Sequence, residues 1–315
     1  MSAISDRPDT SPGVRPTIAT ACGKVILLGE HSVVYGEPAI AVPLPPLRLS
    51  VVLAEGADPD RPLAVDLEEG APPDAHDSVS RALGTAAAAL DVAVPLPVRV
   101  AVRTGGLRSG MGTSAALGVA MARALLAWHG EEDDGARVLG AAEAVERLFH
   151  GNPSGIDHTV SAMERPLWFI KGKGTEALAG LSPLRLVLLR RQSEQATVAI
   201  VGALRERLAG EPALVRTVAD MGRIARESRS AWEAGDLSTL ASGLNAQQAA
   251  LDHLGVVHVR DREAIAVALD AGALAAKITG AGAGGSVLAL VPDDETSQRL
   301  LTAWGPDALA YTTGL

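Results

Sequence analysis

Glu146 and Asp157 bracket the segment ERLFHGNPSGID, in which a Gly-Asn-Pro-Ser-Gly stretch separates a helix-like run from the second acid. Two carboxylates on either side of such a loop suit phosphoryl transfer. One can hold a divalent cation that neutralises phosphate charge, and the other can position or deprotonate an attacking hydroxyl. Taken singly, Glu146 also reads as a solvated helix residue, and Asp157 as a turn residue or cap. A second stretch, TGGLRSGMGTS at 104–114, is rich in glycine and runs from a strand into a helix. Glycines let backbone amides approach a ligand with no Cβ in the way, and the new helix adds unpaired N–H groups and its positive dipole end. The turn therefore reads as a phosphate cradle or as a plain capped turn. Thr113 and Ser114 stand at its helix start, where hydroxyls cap well and can also meet phosphate or a metal ion. Arg108 lies inside the same loop, and arginine suits forked contacts to phosphate oxygens. Solvent at the loop tip is the other place for it.

The common nucleotide motifs do not fit. The chain has no G-x-x-x-x-G-K-[ST] sequence. Residues 280–285, GAGAGG, match G-x-G-x-x-G by spacing, yet the strand-like run SVLALV follows where a dinucleotide fingerprint needs a helix.

The elements that must position these groups alternate between strand and helix. Val25–Leu28 is a short apolar run stopped by Gly29, and Leu47–Ala54 reads as a second strand. Helices are expected over His76–Leu90, Ala115–His129 and Asp134–Phe149, and strands over Pro97–Arg103 and Leu167–Ile170. HGNPSGID reads as a loop. Beyond Leu184–Leu189 come helices near 195–209, 213–234, 236–254 and 261–271. A glycine-rich turn, the strand Val287–Val291 and a last helix and strand follow. Strands mixed with helices, and glycine turns in different halves, point to an α+β protein with its site between two lobes. The expected division is a flexible tail over 1–16, an N-terminal domain over 17–180 and a C-terminal domain over 181–315.

Aromatic residues are only 3% of the chain, so the core must rest on Ala, Val, Leu and Ile. A formal net charge of −9 argues against nucleic acid as a partner, because phosphate backbones need a basic surface. Cys22 is the single cysteine, which rules out an internal disulfide and a cysteine zinc cluster. No run reads as a signal core or a membrane span, so a cytoplasmic address and no membrane partner are expected.

Three segments together resemble the GHMP kinases. Gly110-Met111-Gly112-Thr113-Ser114-Ala115-Ala116 is similar to their G-L-G-S-S-A-A phosphate loop. CGKVILLGEHSVVYGEPAI at 22–40 resembles the opening motif of the mevalonate kinases within that family, and KITGAGAGGSVLAL at 277–290 resembles the third motif. The fold this implies is two-lobed, with a ribosomal-protein-S5-like N-terminal domain and a ferredoxin-like C-terminal domain. ERLFHGNPSGID likewise looks like E-x-x-x-H-G-x-P-S-G-x-D of mevalonate kinases.

By that resemblance the activity is ATP-dependent phosphorylation of mevalonate to 5-phosphomevalonate, for isoprenoid precursor synthesis. Other expectations are a kinase for phosphomevalonate or a sugar, or a metabolite-binding regulator without catalysis. Gly-Glu-His followed by Ser-Val-Val, where galactokinases have Thr-Asp, favours mevalonate. Residue by residue, Asp157 is the base or orienter and Lys24 its cationic neighbour. Gly110, Met111, Gly112, Thr113, Ser114 and Arg108 face ATP. Ser114 and Glu146 hold Mg2+. Glu30, His31, Thr197, Gly282 and Ala283 face the alcohol. From the residues alone, Lys24 also reads as a strand-edge charge, His31 as a satisfied loop histidine and Thr197 as a helix N-terminal residue. A homodimer is compatible with the resemblance. The sequence departs from the family at Gly106, where proline is common, and at Arg108, where a small residue is usual. RRQSEQAT at 190–197 replaces a stretch that often reads Asp-Thr-Gly.

Overall fold

Strand β1 runs from Thr17 to Leu28 and pairs antiparallel along β2, Ala39–Glu55. The structure, a computed structural model, describes residues 16–313 apart from 57, 59, 61 and 179–182. All of the expected tail except Pro16, and the expected boundary between 180 and 181, lie outside the described residues. Both strands are far longer than their apolar runs suggest. In β2 the prolines at 43, 45 and 46 read as breakers in sequence. The ladder instead steps from Cys22↔Arg48 to Gly23↔Leu44. The skipped residues, Pro45 and Pro46 among them, bulge out, and a bulged proline owes no hydrogen bond to the ladder.

Strands β3 (Leu63–Leu67), β4 (Val98–Arg103), β5 (Leu167–Ile170) and β6 (Gly174–Ala177) complete the first sheet in the order β3-β4-β2-β5-β6, with β1 on β2. Helices α1 (Ala75–Leu90) and α2 (Thr113–Trp128) pack on it, and α3 (Gly135–His150) packs on those two. Helix α2 is buried on nearly every side from Ala115 to Leu126, because it lies between the sheet and the other two helices. Small residues permit that: a Cβ on Gly118 would stand 3.0 Å from Ala142 Cα. This close helix packing is how a core almost without aromatics reaches interior density.

The second sheet holds β7 (Arg185–Leu189), β8 (Ala275–Ile278), β9 (Val287–Val291) and β10 (Ala308–Thr312), all antiparallel, in the order β10-β7-β9-β8. Numbered within its own half this is the 4-1-3-2 order of a ferredoxin-like sheet, as expected. Helices α5 (Thr197–Gly210), α6 (Pro212–Ala234), α7 (Leu237–His253) and α8 (Val259–Asp270) sit between β7 and β8. Helix α9 (Asp294–Trp304) sits between β9 and β10. The short helix α4 (Ile156–Met163) and the strands β6 and β8 are absent from the sequence reading. Each is eight residues or fewer, too short for a periodic signal.

The two halves meet backbone to backbone. A Cβ on Gly110 would lie 2.1 Å from the Thr279 carbonyl oxygen, and one on Gly280 would lie 2.5 Å from Gly110 Cα. Gly110 also has φ of +86°, in the left-handed region. Alanine there must distort the loop or separate the halves. Gly110→Ala is expected to lower stability by about 1–3 kcal/mol, read as a lower urea midpoint at unchanged slope.

Candidate active site

Lys24 enters the core on β1 and is 1% exposed. Its stem lies against Gly112, where a Cβ would come 2.9 Å from the lysine Cε. Its Nζ reaches Asp157 Oδ2 at 2.9 Å and lies 3.4 Å from the Gly110 carbonyl oxygen. A strand-edge lysine would stay in water, so the sequence alternative for Lys24 fails. Asp157 does not sit on a loop, as expected, but in the first turn of α4. Gly155, at φ +99°, turns the chain into that helix, and the helix start favours a negative side chain.

Ser114 lies one residue into α2. Its hydroxyl donates to Glu146 Oε1 at 2.6 Å and is 3.0 Å from His150 Nε2. The expectation that Thr113 or Ser114 caps α2 is corrected here. Gly112 is the cap residue, in a left-handed conformation, and no side chain caps the helix. The first amides of α2 are thus left for a ligand. Glu146 is buried on α3, with His150 Nε2 3.7 Å away and His158 Nδ1 3.9 Å away. Burial pushes the Glu146 carboxyl up. His158, His150 and the Ser114 hydroxyl, in that order, outweigh it and hold the group below the usual carboxylate range. At 3.9 Å His158 acts as an electrostatic neighbour and not as a hydrogen-bond partner.

A cavity of about 610 Å³ opens beside these groups. Its wall includes Lys24, Asp157, Glu146 and His150 from the first half, and Glu30 and His31 from the turn after β1. Thr197, Val201 and Arg205 face it from α5 at helical spacing, and Gly280 and Ala281 come from the third glycine segment. His31 has φ of +61°, and its Nε2 is 3.1 Å from the Ala281 carbonyl oxygen. The ring therefore carries its proton on Nε2 and leaves Nδ1 as an acceptor. Burial pushes its pKa down to about 4; the Ala281 bond works against that shift, and nearby Lys277 adds to it. Burial likewise raises Glu30 and lowers Lys277, which pair with each other.

Other expected site residues lie elsewhere. Met111 is fully buried, its N–H donates to the Arg108 carbonyl and its own carbonyl accepts from the Lys24 amide. It braces the loop and offers nothing to a nucleotide. Arg108 is half-buried and donates to the Leu107 carbonyl at 2.9 Å, away from the cavity wall. Gly282 and Ala283, expected to face the alcohol, do not line the cavity. A Cβ on Gly282 would sit 2.2 Å from the Val256 carbonyl oxygen, and the Ala283 amide donates to that same oxygen. Their place in the wall belongs to Gly280 and Ala281. Thr197 is the first residue of α5, makes no cap and lines the cavity.

The divergent segment at 190–196 ties two glycine turns together. Arg191 donates to the Gly285 carbonyl and to Asp261, whose other oxygen accepts from the Gly284 amide. The Ser193 amide donates to Ser109 of the phosphate loop, and its hydroxyl to the carbonyls of Gly282 and Ala283. The sequence reading missed His150, His158, Arg205 and Lys277. His150 falls four residues after Glu146 on one helix and Arg205 eight after Thr197, so helical spacing could have found both. Lys277 opens the third motif, but nothing local marks its role, which is defined by a partner in the other half.

Residues 76–165 match the family described as GHMP kinases N terminal domain, and residues 228–309 match GHMP kinases C terminal. The chain is 30% identical to the mevalonate kinase of Aeropyrum pernix over 96% of both chains. It is 33% identical to that of Pyrococcus horikoshii, covering 89% of this chain and 90% of the relative. Its fold superposes on the crystal structure of L. major mevalonate kinase in complex with R-mevalonate with a TM-score of 0.82. That similarity covers 95% of each chain at 26% identity. Among the described residues no helix is long and apolar enough to cross a membrane.

The depressed pKa of His31 means a neutral ring at every pH well above 4. An NMR titration of its ring carbons should show a midpoint near 4 and no change between about pH 6 and 8. A midpoint at the ordinary 6.5 would contradict the burial of the ring.

Proposed function

The chain belongs to the GHMP kinase family, and on that premise we propose that it transfers the γ-phosphoryl group of ATP to the primary hydroxyl of mevalonate, giving 5-phosphomevalonate and ADP. The observation that carries the reading is the Lys24–Asp157 pair, 2.9 Å apart in the cavity wall, with the lysine Nζ 3.4 Å from the Gly110 carbonyl oxygen of the glycine loop. Phosphoryl transfer asks the protein for position and charge more than for covalent chemistry. Asp157 is placed to accept or align the hydroxyl proton of the alcohol. Lys24 holds a positive charge between that carboxylate and the glycine loop, where charge builds on the transferring group. The amides at the start of α2 supply hydrogen-bond donors to the phosphates.

Ser114 and Glu146 are the residues that would hold Mg2+. Their oxygens are 2.6 Å apart, and one belongs to a carboxylate held in its charged form, a fitting donor pair for a hard cation. Among the described residues no group of three or more His, Cys, Asp or Glu could hold a metal ion by itself. That suits a cation whose remaining ligands are phosphate oxygens and water. When bound, it supplies charge neutralisation to the phosphates. Arg205, in the wall of the same cavity, offers a guanidinium to the carboxylate of mevalonate.

Purified protein should release ADP only with ATP, magnesium and an acceptor alcohol, and mevalonate should be the best acceptor in a panel with phosphomevalonate and galactose. Robust turnover of either of those two without mevalonate turnover would remove the substrate assignment.

Single variants separate the two acids. Asp157→Asn should lower kcat by about 100-fold or more with little change in ATP binding, the size expected for a lost general base. Glu146→Gln should instead raise the magnesium concentration needed for half-maximal rate. Near-normal kcat in Asp157→Asn would remove it from the reaction.

A further inference from the structure

Lys277 lies on β8 of the second sheet, paired opposite Leu288, and Glu30 lies in the turn after β1 of the first. Each is 1% exposed. The ammonium of Lys277 donates to Glu30 Oε1 and to the Ile278 carbonyl oxygen, the latter at 2.7 Å. Two fixed contacts on the ammonium fix the carboxylate in turn. The remaining oxygen, Glu30 Oε2, is buried and has no hydrogen-bond partner among the described residues. Glu30 is also a wall residue of the cavity that holds Lys24 and Asp157.

A stability role explains this poorly. Burying an ion pair seldom gains more than apolar residues of the same volume would. An unpaired carboxylate oxygen adds a desolvation cost that a structural device would avoid. The same segment also holds the neighbouring residues of the opening motif. Thr279 Oγ1 accepts from the Ile26 amide at 3.2 Å, and the Ala281 carbonyl holds His31 at 3.1 Å. Segment 277–281 thus acts as a template for 26–31 across the two halves.

We propose that Lys277 is a positioning residue for the acceptor alcohol: it clamps one oxygen of Glu30 so that the other accepts a hydrogen bond from a second hydroxyl of the substrate. The inference rests on the proposed mevalonate reading. Asp157 takes the reacting primary hydroxyl, so the tertiary hydroxyl at C3 is the donor left for Glu30 Oε2. The second half of the molecule then contributes to substrate choice through a residue that never touches substrate.

The test compares mevalonate with its 3-deoxy analogue, using wild type, Lys277→Met, Glu30→Gln and the double variant Glu30→Gln/Lys277→Met. Wild type should favour mevalonate by at least about tenfold in kcat/KM, the effect of a hydrogen bond to a charged acceptor. Lys277→Met should raise the mevalonate KM about tenfold, leave the ATP KM within about twofold and lose the preference for the 3-hydroxyl. Lys277→Met leaves a buried charge unpaired and can fail to fold. The double variant carries no such charge and should regain thermal stability without regaining the preference. A folded Lys277 variant, single or double, that still prefers mevalonate as wild type does overturns the proposal. So does an equal rise in both KM values. Absence of mevalonate turnover in wild type would instead refute the substrate reading, a failure visible before any variant is made.

Discussion

The contact between Gly110 and the Thr279–Gly280 peptide sets the distance between the two halves. Neither side has room for a Cβ, so the phosphate loop and the third glycine segment approach as bare backbone. The Lys24 amide donates to the Met111 carbonyl, and Thr279 binds the Ile26 amide, so β1 is locked to both. Three segments far apart in the chain are thereby held in one place. The position of Lys24, and through it the geometry around Asp157, follows from that junction.

Burying charge is the second constraint. Lys24, Glu30, Glu146 and Lys277 are all nearly inaccessible, and a buried ion is tolerated only when paired and hydrogen-bonded. Each of these groups has a partner from a different element: Lys24 with Asp157 of α4, Glu146 with Ser114 of α2, Glu30 with Lys277 of β8. Removing one member strands the other, so the polar cluster is coupled to the fold as tightly as the apolar core around it. Small side chains make this possible elsewhere. Helix α2 packs on the sheet and on α3 through alanine and glycine, which brings Glu146 within 2.6 Å of Ser114.

The divergent segment after β7 shows how a departure from a family pattern can still serve the site. Arg191 and Ser193 hold the third glycine turn from behind and reach Ser109 of the phosphate loop. A guanidinium with several donors can satisfy carbonyls and a buried Asp261 at once, a task a shorter side chain could not perform.

The sequence by itself determined the long helices and most of the strands, the two glycine turns, the pair of acids and the family, because those signals are local: periodicity, glycine at tight turns, and motifs of fixed spacing. Glu30, Lys24 and Asp157 were legible through motif likeness, and the structure brings all three to one cavity. Only the tertiary structure decided what depends on partners distant in the chain. It placed prolines in a bulge of β2, turned the start of HGNPSGID's final residues into a helix carrying Asp157, and moved the cavity wall from Gly282 and Ala283 to Gly280 and Ala281. It also joined Lys277 to Glu30 across 247 residues. No window of sequence contains both members of such a pair, and a lysine in a short strand looks the same whether it meets solvent or a buried carboxylate.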